Sequence, residues 1–295
     1  MIRIFGTIFA GLLGLAFGSF LNVCLSRWPE GESVVQPRSH CRSCSHTLAW
    51  WENLPLLSWM ALRGRCRGCR SWIGVRYPAV EFALGALWAY SAWQLPLWGF
   101  APDAPTADIY FGLAVALWKM IFYWILVALA VLDAENLWLP NWITLPGVFM
   151  GFIFTVAVAN PGFRFQLHAG GVGFRAHIAG ISLLSIAAAA GLILLIRWIY
   201  WLVRRREGIG LGDAKLMALL AAWLGLPGAL LSFGLGVVLG AVVAVVLLAV
   251  SSARNSSGGW ALKKLPLGSF LCMGGIVSSL WGQQIIAAYL RWVGF

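Results

Sequence analysis

Apolar residues along this chain run in long unbroken blocks separated by short polar segments. They do not alternate with the period of about 2 or 3.6 that marks a half-buried strand or an amphipathic helix. A block of about 18 or more apolar residues with few charges can cross a bilayer as a helix. The pattern predicts about eight such helices: Ile4–Val23, Pro78–Trp98, Ile109–Leu132, Trp142–Ala159, Ile178–Val203, Asp213–Leu226, Ala229–Val250 and Gly268–Leu290. The third and fifth are long enough to tilt, and the sixth is short. The first has only Arg3 as a basic flank and no clean small-residue cleavage site after it, so it reads as a retained helix rather than a signal peptide. The predicted fold is therefore an all-α polytopic membrane protein. Its parts are a first transmembrane helix (1–25), a polar cytoplasmic loop (26–77) and a transmembrane core (78–295).

Composition supports this. Hydrophobic residues make up 61% of the chain and charged residues 11%, far too apolar for a soluble domain. The 34 glycines suit close helix packing in lipid. The net charge of +11 comes mainly from clusters of arginine and lysine: eight arginines between Cys24 and Tyr77, Arg204 to Arg206, and Arg254 with Lys263 and Lys264. Gly99–Asp108 has no basic residue, and Asn160–His177 has only Arg164 and Arg175. The positive-inside rule places the clusters in the cytoplasm and both termini outside. The partner of this charge is the lipid bilayer. Nucleic acid is excluded, because no soluble basic domain carries a binding surface.

Only 10 acidic residues are present, and a carboxylate at membrane level is costly. Asp103 and Asp108 fall outside, Glu30, Glu32 and Glu52 in the polar loop, and Glu207 in a basic turn. Glu81, Asp133, Glu135 and Asp213 remain. Asp213 stands in the frame Gly210-Leu211-Gly212-Asp213 at the start of an apolar helix, with Lys215 two residues on. Those glycines permit unusual dihedrals and close approach of another backbone. An aspartate at a helix start also has a plain role as a cap. Asp133 closes the third predicted helix, before Leu139-Pro140-Asn141; its plain role is a solvated helix end, and Glu135 is a rival for any chemistry assigned to it. The orientation puts Asp133 and Asp213 at the same face. Facing carboxylates that share one proton leave one acid and one base, the arrangement of an aspartic protease. The four histidines lie in the polar loop (His40, His46) or on the outer side (His168, His177), which excludes a serine or cysteine triad at the cytoplasmic face.

Four of the six cysteines form Cys41-x-x-Cys44 and Cys66-x-x-Cys69, two knuckles at nearly zinc-ribbon spacing. They predict a closed, structural Zn2+ site of four thiolates, with a redox pair or disulfides as the alternative. His40 and His46 flank the first knuckle as further candidate ligands. Cys24 and Cys272 read as packing residues.

The residues also carry a resemblance that covers nearly the whole chain. In order they are Gly18-Ser19-Phe20-Leu21-Asn22-Val23, Arg27-Trp28-Pro29, the paired cysteine knuckles, Asn53-Leu54-Pro55-Leu56-Leu57-Ser58-Trp59, Arg76-Tyr77-Pro78-Ala79-Val80-Glu81, Asp133 with Leu139-Pro140, Glu207-Gly208-Ile209-Gly210-Leu211-Gly212-Asp213-Ala214-Lys215, and Leu265-Pro266-Leu267-Gly268. This set resembles the bacterial type IV prepilin peptidases, which are GxGD-type membrane aspartic proteases. The resemblance implies that Asp133 and Asp213 form the catalytic pair, supported by Gly210, Gly212 and Lys215. It implies substrates that are prepilins or secretion-system pseudopilins with a short basic leader, cut at the cytoplasmic face of the inner membrane. It also implies N-methylation of the new amino terminus from S-adenosylmethionine, for which no glycine-rich cofactor loop is visible. Glu81 could serve that transfer or pair with Arg76, the structural pairing being the simpler role. Many relatives read Leu-Pro-Asp where this chain has Leu139-Pro140-Asn141. The competing classes are a proton-coupled transporter and a non-enzymatic assembly factor docked through the cysteine loop.

Overall fold

A computed structural model describes residues 1–95, 106–158, 172–206, 210–253 and 265–294. Parts of the predicted outer segments (96–105 and 159–171), Glu207 to Ile209, and residues 254–264 with Lys263 and Lys264 lie outside the described residues.

Among the described residues the regular structure is helical. The long helices are α1 (Ile2–Arg27), α3 (Arg76–Trp93), α4 (Thr106–Asn136), α5 (Asn141–Val158), α6 (Val172–Arg204), α7 (Leu211–Ala253) and α8 (Leu267–Val293). The short α2 (Leu57–Ala61) and two single 3-10 turns lie in the polar loop. Among the described residues the predicted apolar blocks fall largely in helix, but α3 ends at Trp93, short of the predicted end at Trp98, and positions 96–98 and 159 lie outside the described residues. Five helices are long and apolar enough to cross a membrane: α1, α4, α6, α7 and α8. The sixth and seventh predicted blocks form one kinked helix, α7. The break is at Gly225, with φ 69° and ψ 175°, and Pro227 follows. Proline removes a helical N–H and crowds the preceding turn, and only glycine takes that φ/ψ at little cost.

The chain divides into two compact units, Met1–Ala128 and Leu129–Phe295. In the first, α1 packs along α3 through small residues. A Cβ at Gly18 would lie 2.7 Å from the Cα of Glu81, so the glycine is what lets the two backbones meet there. Trp88 Nε1 donates to the Met120 carbonyl at 3.0 Å, which ties α3 to α4. Arg27, buried at the end of α1, donates to the carbonyls of Ser33 and Pro37 and anchors the start of the polar loop. In the second unit α7 packs against α5, α6 and α8. Trp223 of α7 donates to the Gly147 carbonyl of α5 at 2.8 Å, and Thr155 of α5 donates to the Ala222 carbonyl at 2.9 Å.

Candidate functional site

The second unit brings Asp133 and Asp213 together from positions far apart in sequence. Both are buried, at 6% and 8% exposure. Gly212, next to Asp213, and Gly268, against Asp133 Oδ2, both pack on Leu139, which places the two acids at one locus. Glu135, the sequence rival, lies exposed.

The two carboxylates are held differently. Asp133, in the last turn of α4, receives its donors from the start of α8. Ser269 gives its backbone N–H to Oδ2 at 2.7 Å and its hydroxyl to the same oxygen at 3.2 Å. The Ser269 hydroxyl also reaches the Ala130 carbonyl at 2.7 Å, which locks the serine onto α4. Asp213, in the first turn of α7, receives the Gly210 N–H on Oδ2 at 3.2 Å, while its own N–H returns to the Gly210 carbonyl at 3.3 Å. This is the reciprocal half of a capping box, with glycine at the cap position and aspartate three residues on. The capping role suggested by the sequence is therefore present and coexists with the pairing to Asp133.

Leu139 is the packing post of the site. A Cβ at Gly212 would meet Leu139 Cδ1 at 3.0 Å, and a Cβ at Gly268 would meet the same atom at 3.1 Å. At Gly268 that Cβ would also come within 2.8 Å of Asp133 Oδ2. One leucine thus packs against the starts of both α7 and α8. Lys215 donates its ammonium to Asn141 Oδ1, which ties α7 to the start of α5. Sequence reading assigned no role to Ser269, which follows a matched motif, or to Leu139, which belongs to one. Their function depends on contacts between distant segments.

The first unit carries the cysteine module. Its two knuckles are built alike. Cys41 accepts on its carbonyl from Ser45 N–H and donates its own N–H to His46; Cys66 does the same with Arg70 and Ser71. Ser45 and Arg70, each four residues after its cysteine, have φ of 57° and 60°. Bridges His40–Thr47 and Arg65–Trp72 close the two loops. All four sulfurs lie within 4.8 Å of one another, with Cys41–Cys69 at 3.8 Å and Cys44–Cys66 at 3.9 Å. A tetrahedron with Zn–S bonds of about 2.3 Å spaces its sulfurs by about 3.8 Å, whereas a disulfide needs about 2.05 Å. The donor set therefore fits one tetrahedral ion. Neither histidine belongs to the cluster. His40 bonds the Arg38 carbonyl, and His46 Nε2 lies 3.5 Å from Glu52 Oε2.

The thiols divide the charge unequally. Burial opposes ionisation of Cys41, but the N–H groups of Ser43 and Cys44 and the side chains of Ser71 and Cys66 outweigh it and bring the thiol down to about 6. The His46 N–H favours the Cys44 thiolate, yet Cys69, burial and the other two sulfurs push that thiol up to about 12. Four crowded sulfurs cannot all ionise without a cation among them, which is what a divalent metal supplies.

Comparisons with known proteins agree with this division. Residues 12–95 match the bacterial peptidase A24 N-terminal domain, and residues 120–245 match the type IV leader peptidase family. The chain is 35% identical to a prepilin leader peptidase/N-methyltransferase of Pseudomonas putida, over 97% of this chain and 94% of the relative. It is 33% identical to one of Pseudomonas aeruginosa (96% and 93%) and 31% identical to one of Stutzerimonas stutzeri (95% and 92%). No solved structure matches. The transporter and assembly-factor alternatives find no support among these relatives. With matching models over both halves and relatives alike end to end, the chain belongs to the type IV leader peptidase family.

Proposed function

We propose that this protein is an inner-membrane aspartic endopeptidase that removes the basic leader of type IV prepilins or pseudopilins at the cytoplasmic face. It then N-methylates the exposed amino terminus with S-adenosylmethionine. The observation that carries the peptidase reading is the burial of Asp133 and Asp213, with the glycines beside them, Gly268 and Gly212, packed on the same Leu139 where the end of α4 meets the starts of α7 and α8.

In this reading Asp133 and Asp213 are the catalytic residues and share one proton. The ionised carboxylate takes a proton from water as its oxygen attacks the scissile carbonyl carbon, and the protonated one gives its proton to the carbonyl oxygen. Collapse of the tetrahedral intermediate breaks the C–N bond, and the amine leaves with the proton taken from water. Gly210 and Gly212 set the start of α7, Ser269 holds Asp133 Oδ2, and Lys215 anchors α7 to α5. Cys41, Cys44, Cys66 and Cys69 hold a structural Zn2+ in a zinc-ribbon-like loop between the first two of eight spans; α3, α5 and the two arms of α7 complete that count. A cationic loop on the cytoplasmic side suits the positive-inside rule and the orientation of the site.

The test is cleavage of a prepilin in liposomes by the wild type, Asp133→Asn and Asp213→Asn. Each variant is expected to lose at least about a hundredfold in rate while staying folded. Full cleavage by either variant overturns the assignment.

A further inference from the structure

The first unit contains a cavity of about 660 Å3, within the range of about 300–1,000 Å3 typical of small-molecule sites. It is walled by α1, α3 and the cysteine module. Its lining includes three buried polar side chains that the proteolytic site does not use: Asn22, Glu52 and Glu81, at 2%, 6% and 7% exposure.

Each is fixed on one side and leaves another atom for a ligand or is bound only to neutral groups. Asn22 donates its amide to the Tyr77 carbonyl at 2.9 Å, and its Oδ1 is buried without a partner. Glu52 accepts the Ala49 N–H on Oε2 at 2.7 Å, and its Oε1 is buried without a partner. Glu81 accepts the Leu56 N–H on Oε2 at 2.8 Å and a bond from Ser19. Leu56 holds φ 59° and ψ −47°, a conformation that costs a non-glycine residue energy and is kept at functional sites when the surroundings enforce it. A buried acceptor without a donor costs about 1–3 kcal/mol. Two such atoms belong to residues that line one cavity, where a bound donor would satisfy them. Trp59, Trp72 and Tyr77 line the same space and offer flat apolar faces. Trp59 is itself fixed by its bond to the Ile73 carbonyl and its edge contact with Trp72.

We infer that this cavity is where S-adenosylmethionine binds, with Glu52, Glu81 and Asn22 receiving its positive charge and N–H donors and the aromatic side chains receiving its base. The inference rests on the methyltransferase reading above and names its site. The chemistry selects the ligand. Buried carboxylates attract a sulfonium and an ammonium, and Arg27, Arg42 and Arg67 in the same lining suit the carboxylate of an amino-acid moiety, so the cavity matches a ligand that carries both signs of charge. Cys41 and Cys66 stand in the same wall, so a metal held by the four cysteines would help shape the cavity.

The test uses the full-length protein in detergent with zinc bound. Radiolabelled S-adenosylmethionine is photocrosslinked to the wild type and the labelled peptides are mapped. Titration calorimetry then compares S-adenosylmethionine with S-adenosylhomocysteine, which lacks the sulfonium charge, for wild type, Glu81→Gln and Glu52→Gln. Prepilin cleavage by the same samples reports folding. The expected result is label on peptides containing Trp59, Trp72 or Tyr77. At least one glutamine variant should bind S-adenosylmethionine about tenfold more weakly, a loss of about 1.4 kcal/mol, with a smaller loss for S-adenosylhomocysteine and cleavage unchanged. Wild-type binding with label elsewhere, or both variants binding as wild type, overturns the location alone. No binding by the wild type overturns the methyltransferase reading and the location with it. Should a variant misfold, the wild-type label map still decides.

Discussion

The two units hold their buried carboxylates in opposite ways. In the second unit Asp133 and Asp213 sit at helix ends, and glycine at 268 keeps a side chain from crowding Asp133. Their donors come from the starts of helices α7 and α8. In the first unit Glu52 and Glu81 are tied to the backbone of irregular loop segments, around Ala49 and Leu56, in a module shaped by two metal-fitted knuckles. The first arrangement depends on helix packing and survives loss of a metal. The second depends on the loop and should not. Acids brought to one locus suit proton transfer; separate acids lining one cavity suit the binding of a cation.

The sharpest way to break this contrast is Gly268→Ala. The added methyl lands 2.8 Å from Asp133 Oδ2 and 3.1 Å from Leu139 Cδ1, so the carboxylate must move. Displacement of a catalytic group by a fraction of an ångström to an ångström costs about a hundredfold. Prepilin cleavage should fall by that order, while methylation of an already cleaved pilin peptide stays at the wild-type rate. Loss of both would join the two sites.

Cys44→Ser tests the other side. One thiolate of four is lost, and zinc affinity should fall at least tenfold, the lower edge of the roughly 10- to 100-fold cost of merely disturbing a ligand's surroundings. Metal content by mass spectrometry should drop, methyl transfer should fall with it, and cleavage should hold to within about twofold. Unchanged zinc content would contradict the four-sulfur site.

Ser269→Ala is milder. It removes the hydroxyl at 3.2 Å from Asp133 and leaves the backbone N–H at 2.7 Å. A hydrogen bond to a charged group contributes about 1.5 kcal/mol or more, so cleavage should slow about tenfold without loss of stability at the cysteine module. A rate equal to wild type would show that the backbone donor alone positions Asp133. The smallest effect is expected from Lys215→Met. It removes an exposed contact with Asn141 and should change cleavage by no more than about threefold.

Much of this was legible in the sequence because the signals are local. Apolar blocks fixed the helices, the Cys-x-x-Cys pairs fixed the metal-fitted cluster, and the glycine frame marked Asp213. Scarcity of acids singled out Asp133, and its burial beside an exposed Glu135 separates the two. The illegible part depends on long-range contact. Leu139 seats two glycines far from it in sequence, Ser269 crosses from α8 to α4, and Glu52 looked like an ordinary loop acid until its burial was seen. No period or spacing encodes such contacts. The kink in α7 was legible: Gly225 and Pro227 were plain, and the pattern divided the two arms there, where the backbone leaves helical geometry.

The most direct measurement pairs two assays on Asp213→Asn in liposomes, with zinc bound: cleavage of a full-length prepilin, and methyl transfer from S-adenosylmethionine to an already cleaved pilin peptide, both read by mass spectrometry. Cleavage should be abolished and methylation should stay within about twofold of wild type, since Asp213 acts only in proton transfer to and from the scissile bond. Retained cleavage, or loss of methylation together with cleavage, would contradict the account.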